Sequence, residues 1–84
     1  MRYTVDWSDD ALDTLAAIWM QATDPWAVTA AQATIDRLLA ADPYRHGQAV
    51  SEGLYAIKVP PLKAQFEVSD GNRAVRVVSV REVS

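Results

Sequence analysis

The chain opens with apolar and polar residues in strict alternation and then changes its period. Tyr3, Val5 and Trp7 alternate with polar residues over positions 2–7, which predicts a β-strand with one buried face. Ser8 follows, with two aspartates directly behind it, the pattern of a helix N-cap with negative charge in the first turn. A helix is therefore predicted to begin there.

The next part of the chain, up to about Ala41, has the spacing of two amphipathic helices. Asp24-Pro25 separates them, because Asp is a good N-cap and Pro fits at the first helical position. So short a connection predicts an antiparallel hairpin, which ends at Asp42-Pro43. The predicted apolar stripes are Leu12, Leu15, Trp19 and Ala22 (flanked by Ala11 and Ile18) in the first helix, and Val28, Ala31, Ile35, Leu38 and Leu39 in the second.

The second half of the chain is rich in β-branched residues. Positions 44–53 have the composition of a loop, and three strands are predicted at 54–59, 62–69 and 73–83, separated by short turns. The order β-α-α-β-β-β predicts a single α+β domain over residues 1–84. We expect two layers, with the helical hairpin on one face of a mainly antiparallel four-stranded sheet and the other face open to solvent or a partner.

The amino-acid composition excludes several kinds of metal and disulfide site and indicates where in the cell the protein is expected. The 84 residues include no Cys and one His, which excludes disulfides, thiolate metal sites and histidine-rich metal sites, so we expect no metal and no cofactor. No apolar run approaches the ~18 to 20 residues of a membrane span, and the N-terminal region lacks a signal-peptide pattern. The expectation is a soluble, cytoplasmic protein without membrane contact.

Charge is distributed unevenly along the chain. The net charge of −3 argues against a general nucleic-acid binder. Residues 1–42 carry two basic against seven acidic side chains, a net of −5, whereas residues 43–84 carry six against four, a net of +2. Chemistry directed at an anion would therefore come from the second half.

Several segments, taken in order, resemble the RelE/ParE superfamily of bacterial toxins from type II toxin–antitoxin systems. The opening Tyr3–Ser8, followed by Ala11–Leu15, is similar to the first strand and helix start of that family. Gly53–Val59 resembles its strand of alternating aromatic, aliphatic and basic residues. Leu62–Val68 resembles a strand of the pattern Y-R-x-x-Y-x-V, and Arg76–Arg81 resembles the final strand, which in the family leads to a functional Arg. Together the segments cover nearly the whole chain.

The resemblance implies a growth-arresting toxin that a cognate antitoxin neutralises. Members similar to RelE inhibit translation by cutting mRNA in the ribosome. By that resemblance, Lys58, Lys63 and Arg81 are the candidate catalytic residues of a metal-independent endoribonuclease, binding the scissile phosphate and stabilising charge as the 2′-hydroxyl attacks it. Such a reaction also needs a general acid or base.

Four further residues are candidates for substrate binding: Arg45, His46, Tyr55 and Arg76. Histidine is the side chain most often used for proton transfer near neutral pH, so His46 could act in this way, although its predicted loop position favours a purely structural role. Tyr55 could stack on a base, but it shares a strand face with Ile57 and is expected on the core side.

Other readings stay open at this point. Lys58 and Lys63 are predicted neighbours across a hairpin, and solvated strand lysines also simply discourage edge pairing. Members similar to ParE bind DNA gyrase instead, so the target is ribosome and mRNA or gyrase, and a non-toxic interaction module of the same fold is a further alternative. Trp19 is expected in the core, whereas Trp26 is a candidate anchor for an antitoxin segment or a second toxin copy. A homodimer, or a heterotetramer with antitoxin, is the assembly that the resemblance implies.

Overall fold

The computed structural model describes residues 2–83, which form three helices and five strands. In chain order these elements are β1 (Thr4–Trp7), α1 (Asp9–Gln21), α2 (Pro25–Ala41), α3 (Pro43–His46), β2 (Gln48–Ser51), β3 (Leu54–Val59), β4 (Leu62–Ser69) and β5 (Ala74–Glu82).

The strands form one sheet in the order β1-β5-β4-β3-β2. The β1 strand is parallel to β5 and every other neighbouring pair is antiparallel, so the predicted α+β architecture and mainly antiparallel sheet are confirmed. The predicted count of four strands was too low by one. Residues 44–53, predicted as a loop, contain α3 and β2.

The missed strand has no amphipathic pattern. Gln48 to Ser51 are exposed throughout, and β2 is attached only along its β3 side, with Gln48 opposite Ala56 and Ala49 opposite Tyr55. The pairing is irregular between Ala49 and Ser51. A strand with no buried side chain leaves no period-2 signal in the sequence.

The predicted helix starts are confirmed by their caps. The Ser8 hydroxyl accepts a hydrogen bond from the Ala11 backbone N–H at 3.1 Å, and Asp24 Oδ1 accepts one from the Ala27 N–H at 3.3 Å. The Asp42 carboxylate caps α3 in the same way. These short polar side chains fix where the helices begin.

The buried stripe of α1 differs from the prediction at two residues. Ala11 and Leu15 are buried, and Ile18 packs against the core. Leu12 and Trp19, predicted to be buried, are each 43% exposed. The Trp19 indole N–H donates to Thr29 Oγ1 of α2 at 3.2 Å, so this ring covers the outer junction of the two helices instead of entering the core.

The core lies between the helices and one face of the sheet. The residues that α2 contributes to the core are those of the predicted apolar stripe, except that Leu38 is only half-buried. Trp7 of β1 is buried among these residues, and its indole N–H donates to Asp36 Oδ1 at 2.7 Å, which satisfies the one polar atom of the ring. The other sheet residues that belong to this core cluster are Ile57, Leu62, Ala64, Phe66, Val75, Val77 and Val80.

An aromatic stack joins α3 to the sheet. Tyr55 stacks on Phe66 with ring centroids 5.7 Å apart, and Tyr44 meets the edge of Tyr55 at 5.5 Å. Gly47 follows α3 at the point where the backbone touches this stack. A Cβ atom at Gly47 would overlap the Phe66 ring and lie 2.8 Å from the Pro43 carbonyl oxygen, so only glycine fits.

Within residues 2–83, no helix combines the length and the apolar character needed to cross a bilayer.

Candidate functional site

Three cations lie side by side on the sheet face that the helices leave open. Lys63 of β4 is directly opposite Lys58 of β3 on one side and directly opposite Arg81 of β5 on the other. Residues in such register have Cβ atoms about 4.5–5.5 Å apart. We call these three residues the cation row. The sequence predicted Lys58 and Lys63 as neighbours across a hairpin and gave Arg81 as a candidate for the same site by the family resemblance. The register of β5 places Arg81 beside Lys63.

A β-bulge in β5 brings Arg81 into this row. Gln65 is opposite Ser79 while Phe66 is opposite Val77, so Val78 is the extra residue of the bulge. Val75 and Val77 before it are buried, and Val80 after it is buried as well, although Val77 and Val80 are an odd number of positions apart. The bulge therefore changes the phase of the strand, and Ser79 and Arg81 face the open side.

The cation row borders a shallow depression. Its volume is about 260 Å³, and it is lined by Lys63, Gln65, Ser79, Val80 and Arg81. The Ser79 hydroxyl donates a hydrogen bond to Gln65 Oε1 at 3.1 Å. The depression therefore combines cationic and neutral polar groups at one end of the sheet.

The electrostatics of the cation row favour an anion. Like charges directly opposite one another in a sheet are destabilising. The register of β3, β4 and β5 places no carboxylate between the three cations. An anion bound across Lys63 and its neighbours would offset this repulsion, and a phosphate, which accepts several hydrogen bonds, suits two ammonium groups and a guanidinium.

Arg76 faces the open side as well, in a second row of alternating charge. It lies opposite Glu67 of β4 and opposite Asp6 of β1. The three side chains line a larger depression of about 490 Å³ with Gly53, Val68, Ser69, Ala74 and Val75. Glu67 is four residues from Lys63, a separation of roughly 13 Å along a strand. Arg76 thus lies on the same face as the cation row, but its neighbouring charges are carboxylates and not the other cations.

Three predicted binding residues are not brought to the cation row. Tyr55 points to the helix-bearing face and stacks on Phe66, as strand alternation with Ile57 led us to expect. Arg45 and His46 belong to α3, which packs beside Tyr55 and Phe66 on that same face. Sheet geometry therefore separates these three side chains from the cations that were predicted to act with them.

Gln65 and Ser79 were not singled out from the sequence. Both are common strand residues without distinctive chemistry, and only the register pairs them beside the cations. One signal of the bulge is present in the sequence, because the doublet Val77-Val78 interrupts an otherwise alternating run. Such a doublet changes which later residues share a face.

A second polar cluster surrounds the turn between β4 and β5. The Tyr44 hydroxyl donates to the Asp70 carboxylate at 2.8 Å, and the Tyr3 hydroxyl donates to Asp70 Oδ1 at 3.1 Å. The hydrogen bond to Asp70, followed by desolvation, raises the pKa of Tyr44 to about 12. Desolvation, followed by the same carboxylate, raises the pKa of Tyr3. The Arg73 guanidinium lies 5.6 Å from the centroid of the Tyr3 ring. The cluster ties the β4–β5 turn to both β1 and α3.

Across the described part of the chain, no group of three or more His, Asp or Glu side chains is arranged to hold a metal ion.

No protein-family model matches the sequence, and no curated protein matches it either. Solved structures do match. The RelBE2 toxin–antitoxin complex from Mycobacterium tuberculosis contains a chain with a TM-score of 0.81 and 17% identity, over 98% of this chain and 99% of that one. A chain of the chromosomal ParDE system from P. aeruginosa has a TM-score of 0.73 and 14% identity, over 99% of this chain and 98% of that one.

The E. coli toxin RelE in its free state, as a double mutant, is also similar, with a TM-score of 0.70 and 19% identity. That match covers 98% of this chain and 84% of RelE. The TM-scores establish a common architecture. Identities this low say nothing about function, which has to be argued from the residues of the site. The chain therefore has the fold of the RelE/ParE toxins, as the sequence resemblance implied.

Proposed function

We propose that this protein is the toxin of a type II toxin–antitoxin pair and that it inhibits translation by cutting mRNA on the ribosome. The observation that carries the proposal is the cation row, in which Lys58, Lys63 and Arg81 meet on the open face of the sheet. The fold likeness to toxins in the RelBE2 complex and to RelE supports the same reading.

The cation row suits cleavage by an internal nucleophile. When a ribose 2′-hydroxyl attacks the adjacent phosphorus, a new P–O bond forms, the bond to the 5′-oxygen of the next nucleotide breaks, and negative charge builds up on the phosphoryl oxygens in between. Lys63 lies at the centre of the row, so a phosphate above it has a cation on either side. Preorganised cations of this kind stabilise the transition state more than the ground state.

A second candidate is a toxin or interaction module that binds without cleaving. The register of β3, β4 and β5 brings no His, Tyr or carboxylate opposite the cation row, although RNA cleavage needs a group to accept the proton of the 2′-hydroxyl. The fold likeness to the ParDE chain agrees with a gyrase-binding toxin similar to ParE. In that case the cation row would contact acidic groups of a protein target.

The antitoxin is proposed to cover the helical hairpin and the free edge of β2. The outer surface of the hairpin exposes large apolar side chains, among them Met20 at 79% and Trp26 at 76%. Leu12 and Trp19 of α1, which the sequence predicted to be buried, are exposed as well. Exposed apolar side chains of this kind suit the apolar face of an amphipathic helix, and the outer edge of β2 has backbone groups free to pair with an added strand.

The test is induction of the protein in bacteria, with and without the open reading frame next to its gene, followed by mapping of RNA 5′ ends. We expect growth arrest and new RNA ends within translated codons, and both should disappear when the neighbouring gene is induced as well. Lys58→Ala, Lys63→Ala and Arg81→Ala should each relieve the arrest and remove the cuts. Arg37→Ala is the matched control, because it removes an exposed cation from α2.

The two candidates give different results in the same cells. If the arrest occurs without new RNA ends and purified protein blocks DNA supercoiling by gyrase, the protein is a toxin that binds gyrase and not one that cuts mRNA. If induction does not slow growth with or without the neighbouring gene, the toxin proposal is wrong and an interaction module remains.

A further inference from the structure

A hydrogen-bonded pair of neutral side chains lies next to the cation row. Gln65 and Ser79 are directly opposite each other on β4 and β5, and the Ser79 hydroxyl donates to Gln65 Oε1 at 3.1 Å. They line the depression of about 260 Å³ together with Lys63 and Arg81. The pair is therefore part of the same surface as the proposed phosphate site.

The pair offers one hydrogen-bond donor and one acceptor side by side. With the Ser79 hydrogen directed to Gln65 Oε1, the free groups are the lone pairs of Ser79 Oγ and the Gln65 amide hydrogens. The opposite orientation of the amide also leaves one donor and one acceptor, with their positions exchanged. A hydroxyl group, which both donates and accepts, is the simplest complement to such a pair.

The distance from the cations matches a group attached to the phosphate. Gln65 is two residues from Lys63, and Ser79 is two residues from Arg81, so each pair member is roughly 7 Å along its strand from a cation. All four side chains nevertheless line the same depression. When a phosphate lies on Lys63 and Arg81, the sugar joined to it extends over the neighbouring row.

We infer that Gln65 and Ser79 bind the ribose 2′-hydroxyl beside the phosphate and make the site selective for RNA over DNA. The 2′-hydroxyl is the group that distinguishes the two nucleic acids at a single site. This inference rests on the proposed function and deepens it, because it adds two binding residues and names the contact by which the site would distinguish RNA from DNA. It assigns to Gln65 and Ser79 the contact that the cations alone cannot make, since phosphates are common to RNA and DNA.

The bulge at Val78 supports this role for Ser79. If Val78 were paired as in a regular strand, it would lie opposite Gln65, and strand alternation would turn Ser79 towards the core. Bulges occur preferentially next to functional sites, where they redirect a side chain. Here the redirected residues are Ser79 and Arg81, one member of the pair and one member of the cation row.

The test compares binding of two oligonucleotides to the purified full chain. Fluorescently labelled single-stranded RNA and DNA of the same sequence are titrated with protein, and dissociation constants are measured by anisotropy at constant salt. A hydrogen-bonded hydroxyl contributes roughly two- to twelvefold in affinity, so we expect RNA to bind more tightly by a factor in that range. Ser79→Ala and Gln65→Leu should bring the ratio close to one while DNA affinity stays the same.

Two further variants separate a contact from a structural effect. Ser79→Thr keeps the hydroxyl and suits a strand, so it should retain the preference for RNA. Ser51→Ala removes a serine from β2, away from the cation row, and should change neither affinity. Loss of the preference in the Thr variant as well as in the Ala variant would overturn the assignment.

The remaining outcomes distinguish this inference from the proposed function. Lys63→Gln should weaken RNA and DNA binding by the same factor. The wild-type protein could bind both oligonucleotides with equal affinity, and Lys63→Gln could lower both affinities. In that case the cation row is a phosphate site and the 2′-hydroxyl contact is wrong. If neither oligonucleotide binds, the cation row is not a nucleic-acid site and both assignments fail.

Discussion

Lys63 and Arg81 lie directly opposite each other on adjacent strands, although both are positively charged. Lys58 adds a third positive charge on the other side of Lys63. Such an arrangement costs stability when no anion is present, because cross-strand like charges repel. A fold optimised only for stability would place an opposite or neutral side chain at position 63, as it does where Arg76 lies between Glu67 and Asp6.

We therefore expect Lys63→Gln to stabilise the free protein while it abolishes activity. Removing the central charge relieves two repulsive contacts, worth roughly 0.5 kcal/mol in the free energy of unfolding. A change of that size raises Tm by about 2–4 °C in a domain of this length. Thermal unfolding followed by circular dichroism measures the shift, and RNA-end mapping measures the activity.

Added phosphate provides a control for the same prediction. It should raise the Tm of the wild-type protein more than that of Lys63→Gln, because an anion that binds the folded state stabilises it by mass action. An unchanged or lower Tm for Lys63→Gln, together with equal responses to phosphate, would show that the three cations do not repel one another and share no anion site.

The bulge in β5 gives a second prediction, because one residue sets the phase of everything after it. Deletion of Val78 removes the extra residue and leaves a regular strand, in which Val80 still faces the core and Ser79 and Arg81 still face the open side. We expect a loss of no more than roughly 2 kcal/mol, about the contribution of one buried valine side chain, because the phase of the strand is kept and only the half-buried Val78 is removed. Urea unfolding measures the free energy, and RNA anisotropy measures the binding, which should be retained.

Val78→Ala is the matched variant, because it keeps the extra backbone residue and shortens only a half-buried side chain. It should cost less than about 1 kcal/mol and leave RNA binding intact. Loss of RNA binding in the deletion, with binding kept in Val78→Ala, would mean that Ser79 and Arg81 need the bulge itself and not only the phase of the strand.

Glycine at position 47 gives a third prediction. In Gly47→Ala the added Cβ meets the buried Phe66 ring and the Pro43 carbonyl oxygen, neither of which can move freely. Overpacking of this kind costs roughly 1–3 kcal/mol, measured by urea unfolding. Gly71→Ala is the control, because nothing lies within 4 Å of its added Cβ, and it should be nearly neutral. Comparable losses in the two variants would contradict the tight approach of Gly47 to Phe66.

The tyrosine cluster predicts a change in stability at alkaline pH. The Asp70 carboxylate accepts the Tyr44 hydrogen bond and raises the pKa of Tyr44 to about 12, above its ordinary value of 10.0. The folded state therefore favours the protonated phenol. Its contribution to stability is complete below pH 10 and is lost as the pH rises towards 12.

The difference in Tm between wild type and Tyr44→Phe isolates this effect. It should be constant up to about pH 9 and shrink between pH 10 and 12, where the wild type loses the hydrogen bond that the variant never had. Tyr55→Phe is the control, since Tyr55 contacts the same aromatic stack. A difference that stays constant across this range would exclude Asp70 as the cause.

The sequence was sufficient for the elements that bury a regular apolar face. The stripe of α2 and the alternation of β3 and β4 were predicted because each has a clear period and a recognisable start or end. The predicted α1 stripe was wrong at two residues, because Leu12 and Trp19 are apolar but lie on the outer side of the helix. Hydrophobicity alone cannot distinguish a residue of the core from one that serves a partner surface.

The candidate site was only partly predictable for a different reason. Lys58 and Lys63 are joined by a short hairpin, so local sequence already makes them neighbours. Arg81 and Ser79 reach the same place through long-range register and a bulge, which depend on how β5 fits the core as a whole. The α3 position of His46 depends likewise on the cap at Asp42 and on the aromatic stack below it.

The uneven charge of the two halves has a consequence for how the molecule meets a polyanion. In dilute buffer the Debye length, ~30 Å at 0.01 M ionic strength, exceeds the 12.1 Å radius of gyration, so an approaching nucleic acid senses the overall charge of −3 and is repelled. Near physiological ionic strength the Debye length falls to ~8 Å, and the nucleic acid is then attracted mainly by the nearby lysines and arginine of the cation row. Affinity should therefore pass through a maximum as salt increases, instead of falling steadily as it does for basic proteins.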